Sequence, residues 1–350
     1  MGNKILISID SESEANSSYH VTNVALHLKR LGFIVSVQFA QIMPGTTMDL
    51  LRQQNIESSV IGTKIRDLDF LYLWSPRSKN RSIANLYDYK HLIVHVEDND
   101  WYLEELLGNL DSLGQIDKTL EKSSLITYIN SNTSSLIPKD IDTYLLLPGV
   151  DDATFSDIQV SLPLAKISSG FYLYAGNVTD YVLEGLTNIA FAVKEYNRKF
   201  DTEDILLVTG RDWTNQLLHR IPDVVVIGNF LAKDMVSKLM RKSIANLQCS
   251  SQDEFDLYRF PSKLPEYLIS GRPTLIERFT LDIELRNKEN CLEVVDKSMS
   301  AWLEGLIQLR MMSSHEIKTL GESAKDFALQ NLSWNKSVSG LADKLLKMQM

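Results

Sequence analysis

Short apolar runs rich in Val, Ile, Leu, Phe and Tyr alternate along this chain with longer stretches in which apolar residues recur every three or four positions. The short runs read as strands buried on both faces, the longer ones as amphipathic helices. Residues 4–9 (KILISI) form the first expected strand. Residues 20–31 form the first helix, with Val21, Val24, Ala25, Leu28 and Leu31 on one face and Gly32 placed to stop it. Strands follow at 33–39, 70–74, 91–96, 124–129 and 143–147, with helices near 46–54, 82–88 and 100–121. Over 150–169 the pattern loosens into a linker containing Asp151-Asp152, scattered serines and Pro163. The alternation then restarts, with strands at 171–175, 205–209 (before Gly210), 224–227 (before Gly228) and 244–249, and helices at 181–196 and 231–240. Residues 263–270 read as a short helix stopped by Gly271-Arg272-Pro273, with short strands after it at 274–276 and 291–295. Ser313 and Glu316 are spaced as a capping box, and a last helix from about 335 carries Val338, Leu341, Ala342 and Leu345 on one face.

Two rounds of strand–helix alternation predict two doubly wound α/β domains in sequence. A length of 350 residues suits two cores. Ligands are then expected at the carboxyl ends of the strands, in a cleft between the domains. At 44% apolar and 23% charged residues, the composition excludes disordered and collagen-like chains. Cys249 and Cys291 are the only cysteines, with no CxxC and no His cluster. A disulfide framework or a metal site is not expected, and a reducing cytoplasm fits. The opening MGNKILISID reads as a strand rather than a signal peptide, and Leu6 stands where an N-myristoylation motif wants Ser or Thr. No apolar run approaches the ~20 residues of a membrane span.

Charge is uneven. Residues 1–165 hold 13 Lys+Arg against 21 Asp+Glu, a net of −8 of the chain's −9, leaving −1 for the rest. An acidic half repels nucleic acid and anionic lipid, and a small anion is better received by the C-terminal half.

The richest local chemistry lies in residues 250–276 (SSQDEFDLYRFPSKLPEYLISGRPTLI). With Ser262 as N-cap, Lys263, Leu264 and Pro265 become the first three helical positions. The amides of Lys263 and Leu264 then point at an anion at the positive end of the helix dipole, and Lys263 adds a full charge. Glu266, one turn in, suits the two hydroxyls of a ribose. Together they describe a nucleoside diphosphate. The competing reading is an ordinary capped surface helix.

FPSKLPEYLISGRPTL resembles the C-terminal donor-site signature of GT-B glycosyltransferases of the GT4-like group. Residues 172–193, 205–210 and 224–250 resemble that domain's opening strands and helices. Ser333-Trp334 and the final helix resemble the family's C-terminal helix, which crosses back onto the N-terminal domain. The resemblance implies two Rossmann-like domains facing across a cleft: 1–160 for the acceptor, 161–332 for the nucleotide sugar, and 333–350 returning to the first. It implies metal-independent transfer, generally retaining, from a nucleotide-sugar substrate, UDP-sugar favoured, to a saccharide, lipid-linked or protein acceptor, with no cofactor. Glu266 takes the ribose role and Lys263 lies beside the phosphates, with Ser262, Leu264, Gly176 and Asn177 around them. Two departures stand out. Tyr258 occupies a position where the family often has glutamate. The stretch Gly176-Asn177-Val178-Thr179-Asp180 lacks the family's usual Arg and Lys, so Arg211 or Arg259 would supply charge. These departures motivate a second reading, an inactive GT-B-fold accessory subunit that binds acceptor or a partner transferase.

In the N-terminal half no GxGxxG follows the first strand, which disfavours a dinucleotide site. Asn16, Ser17 and Ser18 precede the first helix and either cap it or touch a ligand. His95, Glu97 and Asp98 follow a strand. They either position an acceptor hydroxyl or the transferred sugar, or start the next helix. The basic loop 74–81 either receives an anionic acceptor, a membrane or a partner protein, or is simply solvated; homo- or hetero-oligomers fit equally.

Overall fold

The computed structural model describes residues 2–77, 82–106, 108–151, 170–217, 221, 224–227, 233–250, 256–278 and 282–350. The chain divides into two compact units: unit 1 takes Met1–Pro148, Leu257–Phe260 and Trp334–Met350, and unit 2 takes Gly149–Asp256 and Pro261–Ser333.

Unit 1 is built on seven parallel strands: β1 (Lys4–Glu12), β2 (Ile34–Gln41), β3 (Glu57–Val60), β4 (Leu68–Trp74), β5 (Tyr89–Val96), β6 (Leu125–Tyr128) and β7 (Thr143–Leu145). Their order in the sheet is β3-β2-β1-β4-β5-β6-β7. Successive side chains of a strand point to opposite faces. Ile5, Ile7 and Ile9 of β1 join Phe70, Tyr72 and Trp74 of β4 in one apolar cluster, while Leu6, Leu71 and Leu73 join a second. Both faces are therefore covered, which is why these strands read as unbroken apolar runs. The helices are α1 (Asn16–Arg30), α2 (Thr46–Gln53), α3 (Asp100–Leu106) and α4 (Leu110–Glu121). Gly32 has φ of 93° after α1, the left-handed stop expected of it.

Unit 2 repeats the plan with β8 (Phe171–Tyr174), β9 (Ile205–Val208), β10 (Val225–Ile227), β11 (Ala245–Gln248), β12 (Thr274–Glu277) and β13 (Leu292–Val294), ordered β10-β9-β8-β11-β12-β13. Its helices are α5 (Asp180–Phe200), α6 (Lys233–Lys242), α7 (Leu264–Ile269), α8 (Met299–Met311) and α9 (Ser314–Asn331). The capping box at Ser313 and Glu316 forms with both of its hydrogen bonds. A last helix, α10 (Trp334–Lys347), belongs to unit 1, where Trp334, Val338, Leu341, Ala342 and Leu345 join the apolar cluster that also holds Val21, Val24 and Leu28 of α1.

Some expectations need correction. Strand β3 was not read from the sequence: ESSV lies at a sheet edge with no fully buried side chain. The single helix expected over 100–121 is two, separated at Gly108, whose φ is 72°. Over 82–88 only 82–84 are helical. Most of the 150–169 linker, Gly228, the first residues of the helix expected at 231–240, and Ser78–Arg81 of the basic loop lie outside the described residues.

Candidate functional site

Ligands of doubly wound sheets gather at the carboxyl ends of the strands where the order reverses. In unit 2 that point lies between β8 and β11, the neighbours from which the order runs outward both ways. The loop after β8, the loop after β9 and helix α7 meet there.

Helix α7 starts one residue later than the sequence suggests. Lys263, not Ser262, is the N-cap, with φ −89° and ψ −13°, and Pro265 falls in the first turn, where its missing donor costs nothing. The reason is local: the Leu264 amide donates to the Pro261 carbonyl at 2.9 Å, so a tight turn precedes the helix. The expectation that the Leu264 amide points at an anion is therefore overturned, and its side chain is fully buried in unit 2. Glu266 sits in the first turn, only 5% exposed. The Lys263 ammonium stands 3.4 Å from its Oε1. A carboxylate that deep is tolerated because a cation accompanies it.

Two further side chains fix α7. The Tyr267 hydroxyl accepts the Ala175 amide at 2.6 Å, and the Asn246 side-chain amide donates to Ser270 Oγ at 2.9 Å. Burial pushes the Tyr267 phenol well above its ordinary pKa, so it stays protonated. Ala175 opens the loop after β8, so Tyr267 ties the helix of Lys263 and Glu266 to Gly176 and Asn177.

That loop is in turn bound to the loop after β9. The Arg211 amide donates to Asn177 Oδ1 at 2.9 Å, the Val178 amide to the Arg211 carbonyl at 2.8 Å, and the Trp213 amide to the Val178 carbonyl at 2.9 Å. The approach is so close that a Cβ on Gly210 would lie 2.2 Å from the Gly176 carbonyl oxygen. Gly176, Asn177 and Arg211 thus come together, and Lys263 and Glu266 form a second pair joined to their loop through Tyr267. Ser262 lies just outside the helix and is half-buried. At the end of β12, Glu277 is fully buried and accepts the Ser250 amide at 3.0 Å; burial raises its pKa to about 7. The sequence carries no signal for it beyond its place at a strand end.

Unit 1 has its own reversal, between β1 and β4. Ser75, just after β4, is held at φ of 101°, a backbone conformation that persists only where its surroundings enforce it. Its hydroxyl donates to Asp100 Oδ1 at 3.1 Å, and its amide to the His95 carbonyl at 3.0 Å. Glu97 is the centre of the cluster. Its carboxylate lies 3.2 Å from His20 Nδ1 and accepts Trp74 Nε1–H at 3.3 Å. Burial works to raise its pKa, but His20, His95 and the Ser17 hydroxyl together hold it down at about 2. His95 is 1% exposed, its ring tilted against that of Trp74 with centroids 4.0 Å apart, and its Nδ1 is 2.8 Å from the Thr127 hydroxyl. Burial depresses its pKa to about 4, against the pull of Glu97, so it is neutral at pH 7. Burial raises the pKa of Asp98, against the pull of Arg259, whose Nε is 3.1 Å away.

Arg259 thus pairs with Asp98. Its whole segment, Leu257–Phe260, is part of unit 1. The Asn130 and Asn132 side-chain amides donate to the carbonyls of Arg259 and Leu257 at 2.9 and 2.8 Å. Tyr258 lies in this strap, in a short 3-10 turn. In the first helix, Ala15 is the N-cap, which corrects the capping role considered for Asn16, Ser17 and Ser18. The strand runs on to Glu12, and Ser18, already helical, donates its hydroxyl back to the Glu12 carbonyl at 2.7 Å. Ser17 instead reaches Glu97. The side chain of Asn16 lies outside the described residues. His20 and Asn130 were missed because their partners lie 77 and 129 positions away in sequence.

Among the described residues no group of three or more His, Cys, Asp or Glu side chains is placed to hold a metal ion, and no helix is long and apolar enough to cross a membrane.

No protein-family model matches the chain, and no curated protein matches it in sequence. Solved structures match closely in fold. Anabaena HepE, in complex with UDP and glucose, has a TM-score of 0.75 at 13% identity, covering 98% of this chain and 99% of that one. Sucrose-phosphate synthase from Thermosynechococcus elongatus has 0.74 at 11% identity, covering 99% of each chain. A glycosyltransferase from Rickettsia africae has 0.70 at 12% identity, again covering 99% of each. The shared architecture, two parallel α/β sheets in succession, is the GT-B fold.

Proposed function

We propose that this chain is a glycosyltransferase that takes a sugar from a nucleotide-sugar donor, a UDP-sugar first of all, and passes it to a saccharide, lipid-linked or protein acceptor. In this reading transfer is retaining and needs no metal ion, and it takes place in the cytoplasm. The carrying observation is the buried Glu266 paired with the half-buried Lys263 at the start of a helix pinned to the carboxyl end of β8. A carboxylate 5% exposed beside an ammonium offers acceptors for a ribose diol and a cation for a diphosphate. Arg211, with the Gly176–Asn177 loop, supplies the second cation and close backbone. Fixed cations take the leaving-group charge that a metal would otherwise carry. Glu97, held ionised, with Ser17 and His20 around it, is the acceptor-side group of unit 1. The fold leaves the chemistry open; the UDP and UDP-glucose held by HepE support the donor class.

The test is a thermal-shift screen with UDP-, GDP- and ADP-sugars on the wild type, Glu266→Ala and Lys263→Ala. A ligand at ~100 times its Kd adds roughly 2.7 kcal/mol. Stabilisation lost in both variants, with sugar transfer that survives EDTA, is the expected result. No stabilisation by any nucleotide sugar sinks the reading, and stabilisation untouched by either substitution sinks the residue assignment.

A further inference from the structure

Trp213 is 59% exposed, against 3% or less for Trp74, Trp302 and Trp334. An indole is costly to leave in water, and this one is not on a loose segment. Asp212 organises its loop: Oδ1 accepts the Thr214 amide at 3.0 Å and the Thr214 hydroxyl at 2.6 Å, and Oδ2 accepts the Leu217 amide at 2.9 Å. The Trp213 amide is fixed to Val178, and a β-bridge joins Val178 to Asp212. The Arg211 guanidinium lies over the ring, 5.3 Å from its centre. A rigid loop therefore presents a flat aromatic group, backed by a cation, at the carboxyl end of β9. The same loop contacts Gly176 and Asn177, which Tyr267 links to Lys263 and Glu266.

We infer that Trp213 is a stacking platform for the nucleobase of the donor, an inference that rests on the nucleotide-sugar reading above. The ligand it suits is a flat π-system. Of the parts of a nucleotide sugar only the base is one. Arg211 on the indole strengthens the stack from behind through its own cation–π contact. Stacking does not discriminate hydrogen-bonding edges, so the platform contributes affinity for any base and leaves the choice of base to other groups.

The experiment measures UDP, ADP, GDP and ribose 5-phosphate binding to the full-length wild type, Trp213→Ala and Trp213→Phe, by calorimetry and tryptophan emission. Trp213→Ala is expected to weaken UDP and ADP roughly five- to hundredfold, the range one stacked base is worth. Ribose 5-phosphate, which has no base, is expected to bind all three proteins alike. UDP is expected to quench wild-type emission; Trp213→Phe keeps most of the affinity and loses the quench. If UDP binds the wild type and Trp213→Ala equally, the platform is refuted and the nucleotide reading stands. If ribose 5-phosphate is weakened as much as UDP, Trp213 acts by shaping its loop, and the inference is refuted. If UDP, ADP and GDP all fail to bind the wild type, the donor reading fails first and takes the platform with it.

Discussion

Replacing Gly210 by alanine places one methyl group where the structure has no room for it. The new Cβ would stand 2.2 Å from the Gly176 oxygen, 2.4 Å from its carbon and 2.6 Å from the Asn177 nitrogen. Ordinary contact begins at 3.4 Å, so the two loops must part by about 3.4 − 2.2, or ~1.2 Å. All three neighbours are backbone, so no side-chain rotation relieves the clash. A movement of that size breaks the 2.9 Å bond from the Arg211 amide to Asn177 Oδ1 and pulls on Ala175, which Tyr267 holds. Overpacking of this kind costs about 1–3 kcal/mol. At roughly 2–4 °C per kcal/mol for a unit of this size, the melting temperature should fall by about 2–12 °C. Stabilisation by a UDP-sugar should fall with it, since Gly176 and Asn177 belong to the proposed donor site. Gly114→Ala is the control: it lies inside α4 with nothing within 4 Å of its added methyl, so it should raise stability by about 0.5–1 kcal/mol. A Gly210→Ala protein that melts and binds like the wild type would refute the loop contact and the reasoning built on it.

Tyr267→Phe leaves the buried Ala175 amide without its acceptor; denaturant titration should show a loss of about 1–3 kcal/mol, with weaker nucleotide binding, whereas an unchanged midpoint would remove Tyr267 from its anchoring role. His95 has a folded pKa of about 4, below its ordinary 6.5. Its stability contribution is intact above pH 6.5 and lost as pH falls toward 4, by up to about 3 kcal/mol. In His95→Gln the slope of stability between pH 4 and 6.5 should flatten. Glu277 runs the other way, with a folded pKa of about 7 against 4.5. Its contribution is full below pH 4.5 and lost as pH rises through 7, so Glu277→Gln should stabilise the protein at pH 8 relative to pH 5. Equal wild-type and variant profiles over that range would contradict the burial of this carboxyl.

The strands and helices were readable where burial is two-sided or strictly periodic. KILISI and FLYLW announce themselves because both faces of their sheet are covered, and α10 because Val338, Leu341 and Leu345 share one face. ESSV was invisible because an edge strand with polar side chains has no apolar signature. The start of α7 was misplaced by one residue because Ser262 has the right chemistry for an N-cap, yet the bond from Leu264 to Pro261 decides the matter. Lys263 with Glu266, and Gly176 with Asn177, were legible as local pairs. What joins them, Tyr267 to Ala175, spans 92 positions and looks in sequence like one more core aromatic. Arg259 was a candidate because the loop after β8 lacks the Arg and Lys of the resembled family, and only the fold shows its segment bound to Asn130, Asn132 and Asp98.

Unit 1 is closed by α10, a helix that follows unit 2 in sequence. Trp334, Val338, Leu341 and Leu345 of α10 cover the face of α1, and the Tyr144 hydroxyl donates to the Ser337 carbonyl at 2.7 Å. On a ribosome the first 148 residues emerge long before that helix exists, and unit 2 is made in between. The nascent unit 1 must therefore wait with an oily stripe of α1 bare, a surface of the kind chaperones hold. The same fact governs fragment work: a protein cut after Pro148 is an unfinished core, and supplying 334–350 as a separate peptide should restore its solubility.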